Sequence, residues 1–118
     1  MNVFCRWFWP RSTRNEALSL YKLGMARAEN NDSTGAMDAY TSAIELPEAP
    51  GDVKAMALYN RALLFAADGK TDKALADLDA VMEMPIPLHD VKLAARRRLE
   101  RLQHRQDAAA RPNRHPTT

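Results

Sequence analysis

The sequence predicts an all-α fold built from a repeated pair of helices, and three observations support this. Apolar and small side chains recur every three or four residues over most of the chain, which is the spacing of one helix face. Only 4 of the 118 residues are Gly, which is few for a turn-rich β fold. The segment Asp52-Val53-Lys54 recurs 38 residues later as Asp90-Val91-Lys92. A repeat of this length is typical of a helical array in which each unit covers its neighbour's hydrophobic face.

Turn-forming residues divide the chain into five predicted helices. The first ends near residue 29, and the others cover about 34–46, 53–67, 72–84 and 91–107. Thr13 and Glu16 have the spacing of a capping box, in which each side chain bonds the other's backbone N–H. The other predicted N-caps are Asp32 or Ser33, Asp52, Thr71 and Asp90. Residues 108–118, which include two prolines, are predicted to be a disordered tail.

The fourth predicted helix has one apolar and one acidic side. We expect Ala74, Leu75, Leu78, Val81 and Met82 to face the core. Its acidic residues are interpreted as a solvent-exposed face; they are Asp72, Asp77, Asp79 and Glu83.

The residue types that carry chemistry do not form a recognisable set in this sequence. The single Cys5 excludes an internal disulfide and a cysteine-based zinc site, and agrees with a cytoplasmic protein. His89, His104 and His115 fall in a loop, a helix and the tail. We discern no Gly-rich phosphate loop and no Ser/His/Asp set, so we expect no catalytic residue, cofactor or metal ion. No stretch has the roughly 20 apolar residues that span a bilayer.

Charge is distributed unevenly along the chain. Residues 15–91 carry six bases and thirteen acids, whereas residues 92–118 carry eight bases and two acids. The basic residues of the fifth predicted helix are Arg96, Arg97, Arg98, Arg101, His104 and Arg105. This helix has three interpretations: a solvated capping helix, a surface for an acidic peptide, or a nucleic-acid-binding module.

The N-terminal segment, residues 1–14, combines aromatic side chains with three arginines and no acid. Its aromatic residues are Phe4, Trp7, Phe8 and Trp9. An exposed aromatic cluster lowers solubility, so we expect this one to be buried. It could pack on the first helix, contact a partner or a second copy, or insert at a membrane surface.

Residues 17–47 resemble one unit of the tetratricopeptide repeat family. They contain a Leu-Gly pair in the first helix, a small–aromatic–small pattern in the second, and a closing proline. These residues are Leu23, Gly24, Ala36, Tyr40, Ala43 and Pro47. Residues 55–85 match more loosely, through Tyr59, Asn60, Arg61, Ala62, Phe65, Gly69, Ala74, Leu78 and Pro85. The sequence departs from the family at two residues: Arg27 replaces the usual aromatic residue, and Val81 replaces the usual Ala. Its period is also 38 residues, whereas the family's is 34.

The resemblance implies a right-handed α-solenoid of two helix hairpins and a C-terminal capping helix. The helical domain would cover residues 15–107, with repeats at about 17–50 and 55–87 and the capping helix at 91–107. Since about three repeats are usually needed for stability, two repeats suggest self-association or partner binding.

The resemblance also implies a non-catalytic scaffold, or adaptor, that holds a partner segment in a concave groove. The predicted partner-binding residues are Tyr21, Lys22, Met25, Tyr59, Asn60, Leu63, Arg97, Arg98 and Arg101, with Leu18 and Met56 beside them. Lys22, Asn60 and Arg98 partly resemble a set that clamps a terminal carboxylate in some relatives, so acidic or carboxylate-ended peptides are the expected ligands. The alternatives are a peripheral membrane accessory protein anchored by its aromatic N-terminus, and a basic nucleic-acid-binding module.

Overall fold

The computed structural model describes residues 13–85 and 88–110. Within those ranges the chain forms five α-helices and no strand, so the all-α prediction is confirmed there. The helices are α1 (Thr13–Glu29), α2 (Ser33–Glu45), α3 (Gly51–Ala67), α4 (Thr71–Glu83) and α5 (His89–Ala109). Since α5 continues through Ala109, the first two residues of the predicted tail are helical. The aromatic N-terminal residues 4–9 and residues 111–118 of the tail lie outside the described residues.

Of the N-caps predicted for α2 to α5, that of α2 is confirmed. Asp32 precedes this helix, and its carboxylate accepts the backbone N–H of Gly35 at 2.9 Å. The other three predictions are wrong by one or two residues, because Thr71 is the first residue of its helix and Asp52 and Asp90 are the second of theirs. A carboxylate in the first turn still interacts favourably with the positive end of the helix dipole.

The helices stack as two hairpins followed by a closing helix. The hairpin α1–α2 packs against the hairpin α3–α4 through contacts of α3 with both α1 and α2. The closing helix α5 then packs on α4 and α3, whereas α1 and α5 do not contact each other. The first helices α1, α3 and α5 therefore lie side by side, with α3 in the middle. This is the helical solenoid that the repeat predicts.

Small side chains dominate the buried surfaces between these helices. One cluster joins the two hairpins and consists of Ala36, Tyr40, Ala43 and Ala57. A second joins the second hairpin to α5 and consists of Ala55, Leu58, Ala62, Ala74, Leu78, Val81, Ala95 and Leu102. Ile44 packs against both clusters. Alanine lets neighbouring helices approach closely and at the same time favours the helix itself.

One acidic residue of α4 is buried, so the prediction of a fully solvent-exposed acidic face is wrong there. Asp77 is only 6% exposed, and its two oxygens accept Nε and Nη2 of Arg61, both at 2.8 Å. Nη1 of Arg61 also donates to Oγ1 of Thr41 at 3.2 Å. The buried ion pair therefore ties α4 to α3 and also to α2, in the preceding hairpin.

Candidate partner-binding groove

The nine predicted partner-binding residues occupy equivalent positions on the three adjacent first helices. Because the period is 38, each residue of α1 corresponds to one of α3 and one of α5. The corresponding sets are Tyr21, Tyr59 and Arg97; Lys22, Asn60 and Arg98; and Met25, Leu63 and Arg101. We call the surface formed by these nine residues the candidate groove.

The structure brings Tyr21 and Asn60 together at the junction of α1 and α3. The side-chain amide of Asn60 donates to the hydroxyl of Tyr21 and to that of Tyr40, both at 3.3 Å. The two tyrosine rings lie 6.0 Å apart between centroids and are tilted by 41°. The orientation of Asn60 is thus fixed from both helices of the preceding hairpin.

Tyr40 is a buried support for this junction. Burial raises the pKa of Tyr40 above its ordinary value, and the hydrogen bond from Asn60 partly offsets that rise. The resemblance to the repeat family includes Tyr40, but no sequence signal pointed to its contact with Asn60.

The side of the candidate groove on α1 and α3 is largely apolar and aromatic. Met25 is 36% exposed, and Tyr59 and Leu63 are half-buried. Tyr59 also packs against the core cluster that joins the second hairpin to α5. Lys22 is exposed and is the one charged residue among the six groove residues of these two helices. This side can contact apolar side chains of a ligand.

The side of the candidate groove on α5 is basic. Arg97 and Arg101 are exposed, and Arg98 is half-buried. None of the three has an ion pair or hydrogen bond within residues 13–85 and 88–110. A shallow surface depression is lined by Arg97, Glu100, Arg101 and His104. Guanidinium groups without a partner are available to bind carboxylates.

The residues of the expected carboxylate clamp lie on three different helices. Lys22 is on α1 and Arg98 on α5, and these helices are separated by α3. Packed helix axes are about 8–10 Å apart, so the two residues lie about two such spacings from each other. A ligand that touches both must extend across α3.

A surface ion pair holds the first turns of α1 and α3 together, which the sequence did not predict. Nη1 and Nη2 of Arg14 donate to the two oxygens of Asp52 at 3.1 and 2.7 Å. The hydrogen bonds from Arg14 hold the pKa of Asp52 below its ordinary value. Arg14 and Asp52 are themselves 38 residues apart, so the pair joins equivalent positions of the two repeats.

Two kinds of feature are absent from the described part of the chain. It contains no group of three or more His, Cys, Asp or Glu residues that could hold a metal ion. In the same residues, no helix combines the length and the apolar character that a membrane span requires.

Comparison with known proteins agrees with this architecture. The family model described as "Tetratricopeptide repeat" matches residues 18–48 and 56–83, which together make up half of the chain. The chain therefore belongs to the tetratricopeptide repeat family, whose members typically bind other proteins. It is 40% identical over 60 residues to the photosystem I assembly protein Ycf3 of Acaryochloris marina. That match covers 51% of this chain and 36% of the relative, so the chain spans about a third of the relative's length. No solved structure matches the chain.

Proposed function

We propose that this protein is a non-catalytic adaptor that holds a segment of a partner protein in the candidate groove. The observation that supports this most directly is the juxtaposition of two kinds of surface on three adjacent helices. Exposed or half-buried apolar residues of α1 and α3 lie next to arginines of α5 that have no partner within the described residues. Such a surface offers burial to apolar side chains and charge-assisted hydrogen bonds to acidic ones.

The relative suggests the setting in which such an adaptor acts. Its name describes a photosystem I assembly protein, and the shared 60 residues are half of this chain. By extension, we propose that this chain is an assembly factor that holds a subunit of a multiprotein complex before the complex is complete.

The groove can be tested with one double variant and a matched control. The double variant combines Met25→Asp and Leu63→Asp, which place charges on the apolar side of the candidate groove. The control is Leu93→Asp on α5, where an apolar residue is 45% exposed outside the groove. Full-length tagged proteins would be cross-linked in the native cells, and the captured proteins quantified by mass spectrometry.

The groove variant should lose a partner that the Leu93→Asp control still captures. Circular dichroism melts would first establish that both proteins remain folded. If the folded groove variant captures the same partners in the same amounts, partner binding uses another surface.

Three further predictions depend on other measurements. The membrane alternative rests on Phe4, Trp7, Phe8 and Trp9, which lie outside the described residues, and co-sedimentation with liposomes tests it. Light scattering tests self-association. Fractionation of the native cells tests the cytoplasmic localisation.

A further inference from the structure

We propose that three arginines of α5 bind an extended acidic segment with carboxylates at every second residue. The three are Arg97, Arg101 and Arg105, which we call the arginine row. This inference rests on the proposed function, because it identifies the chemistry of the partner on the basic side of the candidate groove.

The spacing of the arginine row follows from helix geometry. All three residues lie within α5, at successive intervals of four. Four residues of an α-helix advance about 6 Å and remain on nearly the same face, so the row is about 12 Å long.

An extended chain presents its side chains at almost the same interval. Alternate residues of a β-strand lie on one side and are about 6.6 Å apart. Over three positions the mismatch with the arginine row is about 1 Å, which the long arginine side chains can absorb. Three carboxylates at positions i, i+2 and i+4 can therefore each reach a different arginine.

The arginine row is available for a ligand. Each of its residues is exposed, and none is paired or hydrogen-bonded within the residues that the structure describes. Glu100 and Asp107 lie on the same helix, but neither makes an ion pair with the row. Arginine suits carboxylates in particular, because its planar group can donate two parallel hydrogen bonds to one carboxylate.

The second helices of the hairpins repel an acidic ligand and so favour α5. Charged residues of α2 are all acidic: Asp38 and Glu45. On α4, Lys73 is outnumbered by four acidic residues, of which three are exposed. An acidic segment is therefore steered toward α5, and its binding should weaken as salt screens these charges.

A peptide fits the arginine row better than a nucleic acid does. Single-stranded nucleic acids bind through aromatic side chains, on which bases stack, as well as through basic residues. Within its described span, α5 contains no Phe, Tyr or Trp. A nucleic acid would thus gain phosphate contacts there, without stacking of its bases.

The proposed register, in which alternate carboxylates each meet one arginine of the row, can be tested with two labelled peptides. The two have equal composition, and both are amidated at the C-terminus. One alternates three Glu with Ser, and the other carries the same three glutamates as an uninterrupted block. Fluorescence anisotropy with the full-length protein measures binding at low and high salt. The test variant is the triple Arg97→Gln, Arg101→Gln, Arg105→Gln. The matched control is Arg96→Gln, because Arg96 is exposed on the same helix but outside the row.

The alternating peptide should bind about threefold more tightly than the block peptide, because the block offers same-side carboxylates only at i and i+2 and so loses one exposed pair. The triple variant should abolish this difference, and Arg96→Gln should keep it. Equal affinity for the two peptides would overturn the proposed register. Tighter binding of an oligouridylate than of the alternating peptide would assign the row to nucleic acid instead.

These outcomes are separable from the test of the proposed function. If both acidic peptides fail to bind while the Met25/Leu63 variant still loses its native partner, the groove takes a non-acidic segment and only this inference is wrong. If the alternating peptide binds in register but the groove variant captures every native partner, the adaptor proposal is wrong and the arginine row stands.

Discussion

At the scale of single residues, the ring of Tyr40 leaves no room for a side chain at residue 24. A Cβ atom added at Gly24 would lie 2.5 Å from Cε1 and 2.6 Å from Cδ1 of that ring. Tyr40 is 2% exposed and accepts a hydrogen bond from Asn60, so it has little room to move. Any side chain at this position of α1 would therefore require the ring of Tyr40 to move.

We predict that Gly24→Ala destabilises the protein by about 1–3 kcal/mol through overpacking. This loss is expected although alanine favours a helix over glycine by about 1 kcal/mol. Gly24→Leu should cost more, because its longer side chain must displace the ring further. The free energy of unfolding in urea measures the effect, with exposed Ser19→Ala on the same helix as a nearly neutral control. A rise in stability for Gly24→Ala would contradict the close contact with Tyr40.

At the scale of helices, sequence reasoning succeeded where a short pattern determines the structure. Ala36 and Tyr40 belong to the small–aromatic–small pattern of the repeat, and both are buried. Asp77 was assigned to solvent because it lies among exposed acidic residues. Its position three residues after Ala74 and four before Val81 was the available signal for burial. Its partner Arg61, 16 residues earlier, could not be inferred, because that pairing depends on how α3 and α4 pack.

For the candidate groove, too, the sequence predicts positions on helices but not the contacts between side chains. The 38-residue period correctly relates Lys22, Asn60 and Arg98 as equivalent residues, but equivalence does not specify contacts. The structure engages Asn60 with two tyrosines and leaves Arg98 without a partner among the described residues. Tyr21 and Tyr40 both supply hydroxyls to Asn60, whereas the residue of α4 equivalent to Tyr40 is Leu78, which has no hydroxyl.

We predict that Asp77→Ala destabilises the protein by about 2–3 kcal/mol, because it leaves the half-buried guanidinium of Arg61 without its carboxylate. Replacing both partners, as Arg61→Met with Asp77→Leu, should recover most of that loss. Urea denaturation of the single and double variants forms a double-mutant cycle that isolates the pair. Exposed Asp79→Ala on the same helix should change stability by less than about 0.5 kcal/mol. An equal loss for Asp77→Ala and Asp79→Ala would show that the ion pair does not join the helices.

At the scale of the whole molecule, α5 is the last described helix, and only one of its sides is buried against the hairpins. In α1 and α3, small residues at equivalent positions are buried, and Gly24 lies against Tyr40 of the second helix. These positions are Ala17 and Gly24 in α1, and Ala55 and Ala62 in α3. Their equivalents in α5 are Leu93 and Glu100, both exposed. The side of α5 that carries Leu93 and Glu100 is therefore not covered by another described helix. It has mixed polarity, whereas the opposite side is packed against the second hairpin.

The other side of α5 belongs to the core of the second hairpin. Ala95 and Leu102 of α5 are 0% and 4% exposed and lie in one cluster with Leu78 and Val81 of α4. Removal of α5 would expose the apolar face of α4 to water. Two hairpins alone also fall below the roughly three repeats that usually give a stable array.

We therefore predict that a chain ending at residue 87 loses its cooperative thermal transition or associates through the uncovered face of α4. A chain ending at residue 110 keeps α5 and serves as the control, which should melt like the full-length protein. Circular dichroism measures helicity and the midpoint of melting, and light scattering measures association. If the chain ending at residue 87 stays monomeric and melts at the full-length midpoint, α5 is not part of the cooperative unit. Its arginines would then be carried by a helix that the two hairpins do not need for their own stability.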